Sequence, residues 1–214
     1  TMDLVDENGK SMTFANSLIF RNVPGSEIFS APRRDSINGK IVAKGKFITR
    51  FDDEIEDLTM VFKDGKLVDY DVRVGKEYFE KVLDTDDGVL FVGELGIGTN
   101  PHLKQHVSSG LLVEKIGGSF HLALGDAYTM TNYMGTPVHV DNGNRSAVHW
   151  DITTMLYGKE GKIYLDDKLV MDDGVWLDPK YDVLNRGWAA IPKDERPDYW
   201  KEYESEISAP TPKP

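Results

Sequence analysis

The sequence predicts an α+β protein, built on a mixed, largely antiparallel sheet with few helices. Three observations predict it. Apolar and polar residues alternate over short stretches bounded by turn residues, which is the period of a strand. Asp64-Gly65 between two such stretches is a hairpin signal, since a tight turn needs residues that tolerate positive φ. Only two stretches carry apolar residues at helical spacing.

Along the chain, "KIVAKGKFI" (40–48) and "LTMVF" (58–62) are β-like, and "KDGKLVDYDVRV" (63–74) turns at Asp64-Gly65 and then alternates. "KEYFEKVLDTD" (76–86) is the clearest helix: Tyr78, Phe79, Val82 and Leu83 form one apolar stripe. "SAVHWDITT" (146–154) is rich in β-branched residues and predicts an inner strand. Residues i and i+2 of a strand share a face, so His149 and Asp151 would stand side by side, with Trp150 on the other face. "KIYLDDKLVMDDGVWL" (162–177) predicts a hairpin or two. "PDYWKEYESEI" (197–207) predicts a second helix, and the Pro-rich "SAPTPKP" a disordered tail.

Composition bounds what such a chain can do. The 214 residues suit one large domain or two small ones, and 40% hydrophobic content is enough for a core. A formal charge of −11 argues against nucleic-acid binding, which needs basic surface to displace phosphate counterions. No apolar run approaches membrane-spanning length and no signal-peptide pattern is present, so the expectation is a cytoplasmic protein without membrane contact. There is no cysteine, which excludes disulfides and thiolate metal sites. Any metal must be held by His, Asp and Glu. The opening "TMDLV" reads either as a cloning remnant or as the start of a piece of a longer protein.

Five histidines are present. His102 and His106 in "NPHLKQH" have the i, i+4 spacing of a metal pair, but the polar setting assigns them to the surface. His121 in "GGSFHLALGDAY" lies in an apolar setting, as does His149. His149 with Asp151 reads either as a hydrogen-bonded core pair or as part of a metal site. Glu94 stands inside the hydrophobic "VLFVGELGIGTN", where an unpaired carboxylate would cost several kcal/mol, so it requires a cation or a strong donor. Glu27 sits in "NVPGSEIFSAP", just before an apolar pair. Carboxylates with imidazoles and no thiolate are the donor set of two-metal hydrolase sites.

Taken in order, "NVPGSEIFSAP", "GELGIGTN", "FHLALGDAY" and "NRSAVHWD" resemble the aminopeptidase T family of thermophilic two-metal aminopeptidases. The resemblance covers about residues 12–178, the catalytic C-terminal half of that family. It implies metal ligands at Glu27, Glu94, His121, His149 and Asp151, a site at strand ends, and two divalent ions, Zn, Co or Mn. It also places a family tyrosine at Tyr128, seven residues after His121. The implied reaction removes N-terminal residues from peptides with a free amino end, using a metal-activated water. Glu27 or Glu94 would bridge, one of the two would also move the proton, and Tyr128 either stabilises the oxyanion or is a packed core residue. Family members form dimers, so a homodimer is implied.

Two departures accompany the resemblance. Nothing in this sequence corresponds to the α/β domain that precedes the catalytic half in the family, so metal binding with poor turnover is expected from this chain alone. Residues 179–214 extend past the matching region, which divides the chain into a catalytic part, 1–178, and a C-terminal extension with a short helix. Two other functions fit the same residues. One is a noncatalytic binding or assembly domain of the same fold, and the other a dinuclear amidohydrolase acting on a different substrate.

Overall fold

Five strands form one antiparallel sheet, which gathers Glu27, Glu94, His121, His149 and Asp151. The computed structural model describes residues 1–17, 25–49, 51–103, 110–158 and 161–198. The sheet runs β1 (Ala15–Ser17), β2 (Glu27–Ser30), β6 (Val92–Gly98), β7 (Ser119–Gly125), β10 (His149–Met155) in spatial order. Between β2 and β6 the chain makes a three-stranded meander, β3 (Gly39–Ile48), β4 (Glu54–Lys63) and β5 (Lys66–Val74), followed by helix α1 (Lys76–Leu83). A four-residue helix α2 (Gly110–Val113) precedes β7. The pair β8 (Met130–Tyr133) and β9 (Thr136–Val140) lies between β7 and β10. A last small sheet holds β11 (Lys162–Leu165), β12 (Lys168–Asp172) and β13 (Val175–Trp176). Among the described residues every strand pair is antiparallel, and the one parallel contact is the isolated Asn100–Ile116 bridge.

The core lies between the two larger sheets. From the meander it takes Ile41, Phe47, Ile55, Leu58, Met60, Phe62 and Val72, and from α1 Phe79 and Val82. The five-stranded sheet answers with Leu95, Leu122, Leu124, Trp150 and Ile152. Each such side chain contributes roughly 1.5–3 kcal/mol on burial. Because these residues alternate with Glu94, His121, His149 and Asp151, packing one face of the sheet commits the charged set to the other. A one-residue slip of register would reverse both faces.

The helix predicted from residue 76 forms, with Phe79 and Val82 buried and Tyr78 left exposed. The predicted hairpin at Asp64-Gly65 joins β4 to β5. One expectation is corrected. The 146–154 stretch was expected to be an inner strand, but β10 ends the hydrogen-bonded order of its sheet. Its burial comes from side chains that reach the meander: Trp150 Nε1 donates to the Ile48 carbonyl at 3.0 Å and Thr154 Oγ1 to the Val42 carbonyl at 3.2 Å. A strand covered in this way needs no second ladder to be apolar. Helix α3 (Asp182–Arg186) had no clear signal in the sequence; the Asp182–Arg186 ion pair spans its single turn. The helix expected over 197–207 lies almost wholly outside the described residues, as does the Pro-rich tail.

Candidate metal centre

Cross-strand register brings the site together. Glu27 pairs with Gly98 across β2 and β6, Glu94 with Ala123 and Gly96 with His121 across β6 and β7, and Asp151 with Ala123 across β7 and β10. Glu27 and His149 are the first residues of their strands. Glycine at 96 is what makes room for the imidazole: a Cβ there would lie 2.1 Å from His121 Nε2. Gly96→Ala is therefore expected to cost about 1–3 kcal/mol through overpacking and to displace His121. Thermal unfolding of the variant checks this, and an unchanged midpoint would contradict it.

The side chains converge closely. Glu94 lies between the two imidazoles, with Oε1 3.4 Å from His121 Nε2 and Oε2 3.2 Å from His149 Nε2. His121 Nε2 is also 3.6 Å from Glu27 Oε2, and His149 Nε2 is 3.8 Å from Asp151 Oδ1. Three sets of residues each offer ligand atoms within 4.8 Å of one another: Glu27, Glu94 and His121; Glu94, His149 and Asp151; Glu114, His121 and Asp151. All five residues expected as ligands fall into these sets, and Glu94, His121 and Asp151 each occur in two. Tyr128 stands at the edge of the cluster, its ring 4.9 Å from the His149 ring and 5.8 Å from Phe29. His102 is not among these groups; its ring packs against the backbone of Gly187. His106 lies outside the described residues.

Two charged residues of the cluster were not singled out from the sequence. Glu114 and Lys115 are both buried, and Lys115 Nζ donates to Glu27 Oε1 and to Glu114 Oε1. The signal was present, since an acid and a lysine interrupt the apolar "LLVEKIGG". The same cost of burying a charge picked out Glu94, but there an apolar strand pattern accompanied it, and here none did.

Electrostatics at the cluster are strongly perturbed. Burial alone would raise the Glu94 carboxyl, but hydrogen bonds from His121 and His149, with their charges, outweigh it and hold it at about 2. Burial would lower both imidazoles, yet Glu94 and Asp151 push His121 up to about 9 and His149 up to about 10. Burial raises Glu27, Glu114 and Asp151, and neighbouring carboxylates add to it, Glu94 at Asp151 and Asp151 at Glu114. Lys115 is raised by Glu114 and Glu27 against its own desolvation.

This donor set fits divalent cations. Glu27 Oε2 and Asp151 Oδ1 are buried oxygens without a hydrogen-bond partner, a costly state that a cation would relieve. His149 turns Nδ1 to the Asp126 carbonyl at 2.7 Å, which leaves Nε2 for the site. That arrangement is how metal-binding histidines are usually oriented. Oxygen and imidazole donors without sulfur suit hard and borderline divalent ions.

Comparison with known proteins identifies the family. The profile of a family described as thermophilic metalloprotease (M29) matches residues 6–176. Aminopeptidase 2 of Geobacillus stearothermophilus is 32% identical over 151 residues, covering 67% of this chain and 34% of that protein. Aminopeptidase AmpS of Bacillus subtilis (strain 168) is 27% identical over 179 residues, covering 78% of this chain and 40% of that protein. The chain therefore spans only about a third to two fifths of these relatives' length. Among solved structures, wild-type AmpT from Thermus thermophilus superposes with a TM-score of 0.55 at 22% identity, over 78% of this chain and 44% of that one. A 2,5-dihydroxypyridine dioxygenase from Pseudomonas putida KT2440 superposes with a TM-score of 0.54 at 23% identity, over 74% and 45%. Both superpositions bear on the fold alone, and two activities on one fold leave function to the site.

Proposed function

Because the chain belongs to the thermophilic metalloprotease family M29, we propose that it carries the catalytic part of a metal-dependent aminopeptidase acting on peptides with a free N-terminus. The observation that carries this reading is the sharing of Glu94 between two carboxylate–imidazole groups. One carboxylate serving two adjacent positions is what a pair of close divalent ions requires. In this reading the ligands are Glu27, Glu94, His121, His149 and Asp151, and the ions are Zn, Co or Mn. When bound, the ions supply Lewis acidity and a water acidified toward neutral pH.

The chain's own groups then have separate tasks. Glu94, with one oxygen toward each imidazole, suits bridging better than proton transfer. Glu114, raised by burial and by Asp151, suits a proton carrier: it would take the water's proton at Oε2, the oxygen Lys115 leaves free, and pass it to the leaving amine. Glu27 is then a ligand. Tyr128, beside His149, places a phenol at the rim where it can stabilise the oxyanion. Residues 1–178 form the catalytic part and 179–214 an extension, a division supported by the family match ending at residue 176. A cytoplasmic homodimer belongs to the same reading on family likeness, and light scattering tests the dimer.

Calorimetric titration of the metal-free chain with Zn or Mn is expected to show two ions bound. A panel of aminoacyl chromogenic amides should be cleaved with a free amino end and spared when acetylated. Equal cleavage of both forms would favour another amidohydrolase. A folded chain that takes up no divalent ion at neutral pH would sink the enzyme reading.

A further inference from the structure

Lysine is almost never fully buried unless it is paired, yet Lys115 is wholly buried, with its ammonium in contact with two carboxylates of the cluster. Its backbone is fixed from both sides. The amide donates to the Leu112 carbonyl at 3.2 Å, and its own carbonyl accepts from Asn100 N at 3.0 Å. Residue 116 bridges Asn100. The same stretch lies directly on Gly98, where a Cβ would be 2.1 Å from the Ile116 carbonyl oxygen and 2.7 Å from that of Glu114. Gly98 is the cross-strand partner of Glu27. Close approach at one glycine thus delivers the lysine to one carboxylate.

The consequence appears on the two oxygens of Glu27. Oε1 is taken by Lys115, while Oε2 is buried, has no hydrogen-bond partner, and lies 3.6 Å from His121 Nε2. A free carboxylate could present either oxygen or both. This one can present only Oε2, and it presents it beside the imidazole of its ligand group.

We propose that Lys115 is a positioning residue that fixes Glu27 in a one-oxygen presentation and so governs the occupancy of the metal position formed by Glu27, Glu94 and His121. The inference rests on the two-ion reading above and adds a residue that binds neither ion. A lysine that only offset negative charge would repel both cations, so its removal would strengthen the binding of each rather than weaken one. A positioning lysine affects one of the two ions and depends on the shape of its head group, since arginine's larger planar fork holds its donors in a fixed geometry that the compact ammonium between these two carboxylates does not have.

The test is calorimetric titration with Mn²⁺ or Zn²⁺ of the metal-free full chain, comparing wild type with Lys115→Met and Lys115→Arg. Circular dichroism serves as the check of folding. Both variants are expected to bind one ion as wild type does and the other about 10–100-fold more weakly, the scale on which partners behind the ligands act. Two ions bound by Lys115→Arg with wild-type affinities would overturn the proposal and leave Lys115 as a charge balance. Equal weakening of both ions would overturn it as well. If Lys115→Met does not fold, Lys115→Arg decides between the same outcomes. Fewer than two ions on the wild type would remove the two-ion reading itself, which is distinguishable because it is seen without any variant.

Discussion

Glu94→Gln is expected to empty both metal positions, weakening each ion by more than about 100-fold, beyond what loss of a partner behind the ligands costs. The reason is geometric: Oε1 faces His121 and Oε2 faces His149, so one neutral amide replaces the anion for both groups at once. Peptide hydrolysis should vanish with the metal. The variant also carries a folding cost, because breaking a buried charge arrangement typically costs about 3–5 kcal/mol. Metal content must therefore be measured on protein shown to be folded. His102→Ala is the matched control. That residue packs on Gly187 away from the ligand groups and should leave metal content unchanged. Equal metal loss from the two variants would defeat the assignment. His149→Ala, whose residue occurs in one group alone, should affect one ion more than the other.

Why so much of this site was legible in the sequence is clear from its strands. Acids and imidazoles in apolar strands stand out because burial makes an unpaired charge expensive, and period-two alternation tells which of them share a face. That reasoning marked Glu94 in "VGELGIG" and the pair His149 and Asp151 in "AVHWDIT". It could not say which strands are neighbours, so the spatial order β1-β2-β6-β7-β10, with a meander inserted between its second and third members, had to come from the structure. Nor could it show that β10 lies at the edge, since cover by Trp150 and Thr154 side chains leaves the same apolar signature as a second ladder. Glu114 and Lys115 were missed for a different reason. They follow a four-residue helix rather than lying in an alternating strand, so no periodicity pointed them inward. No sequence pattern announced that Gly96 and Gly98 are the space that His121 and the Glu114–Ile116 backbone occupy.

Stability of the metal-free chain should fall as pH rises, and divalent ions should restore it most where it has fallen furthest. His121 and His149 have folded-state values of about 9 and about 10, raised above an ordinary 6.5 by Glu94 and Asp151 in spite of burial. What they contribute is complete below 6.5 and is lost as pH climbs through 9 to 10. Glu27, Glu114 and Asp151, raised chiefly by burial, act in the same direction, because the folded state prefers them protonated. Within the cluster, Glu94 alone acts the other way. Held at about 2 against an ordinary 4.5, it supports the fold above 4.5 and loses that support as pH falls toward 2. The metal-free chain should therefore be most stable at mildly acidic pH and weaken toward pH 9. A divalent ion needs these ligands deprotonated, so its binding strengthens over the same interval. At an ion concentration 100 times its dissociation constant the gain is about 2.7 kcal/mol, which for a chain of this size raises the unfolding midpoint by roughly 5–10 °C. Thermal unfolding with chelator or with Mn²⁺, at pH 6 and at pH 9, measures both effects. The midpoint with chelator should be lower at pH 9, and the shift on adding Mn²⁺ larger there. A larger shift at pH 6 would mean that the imidazoles and carboxylates of this cluster are not the groups that take up the ion.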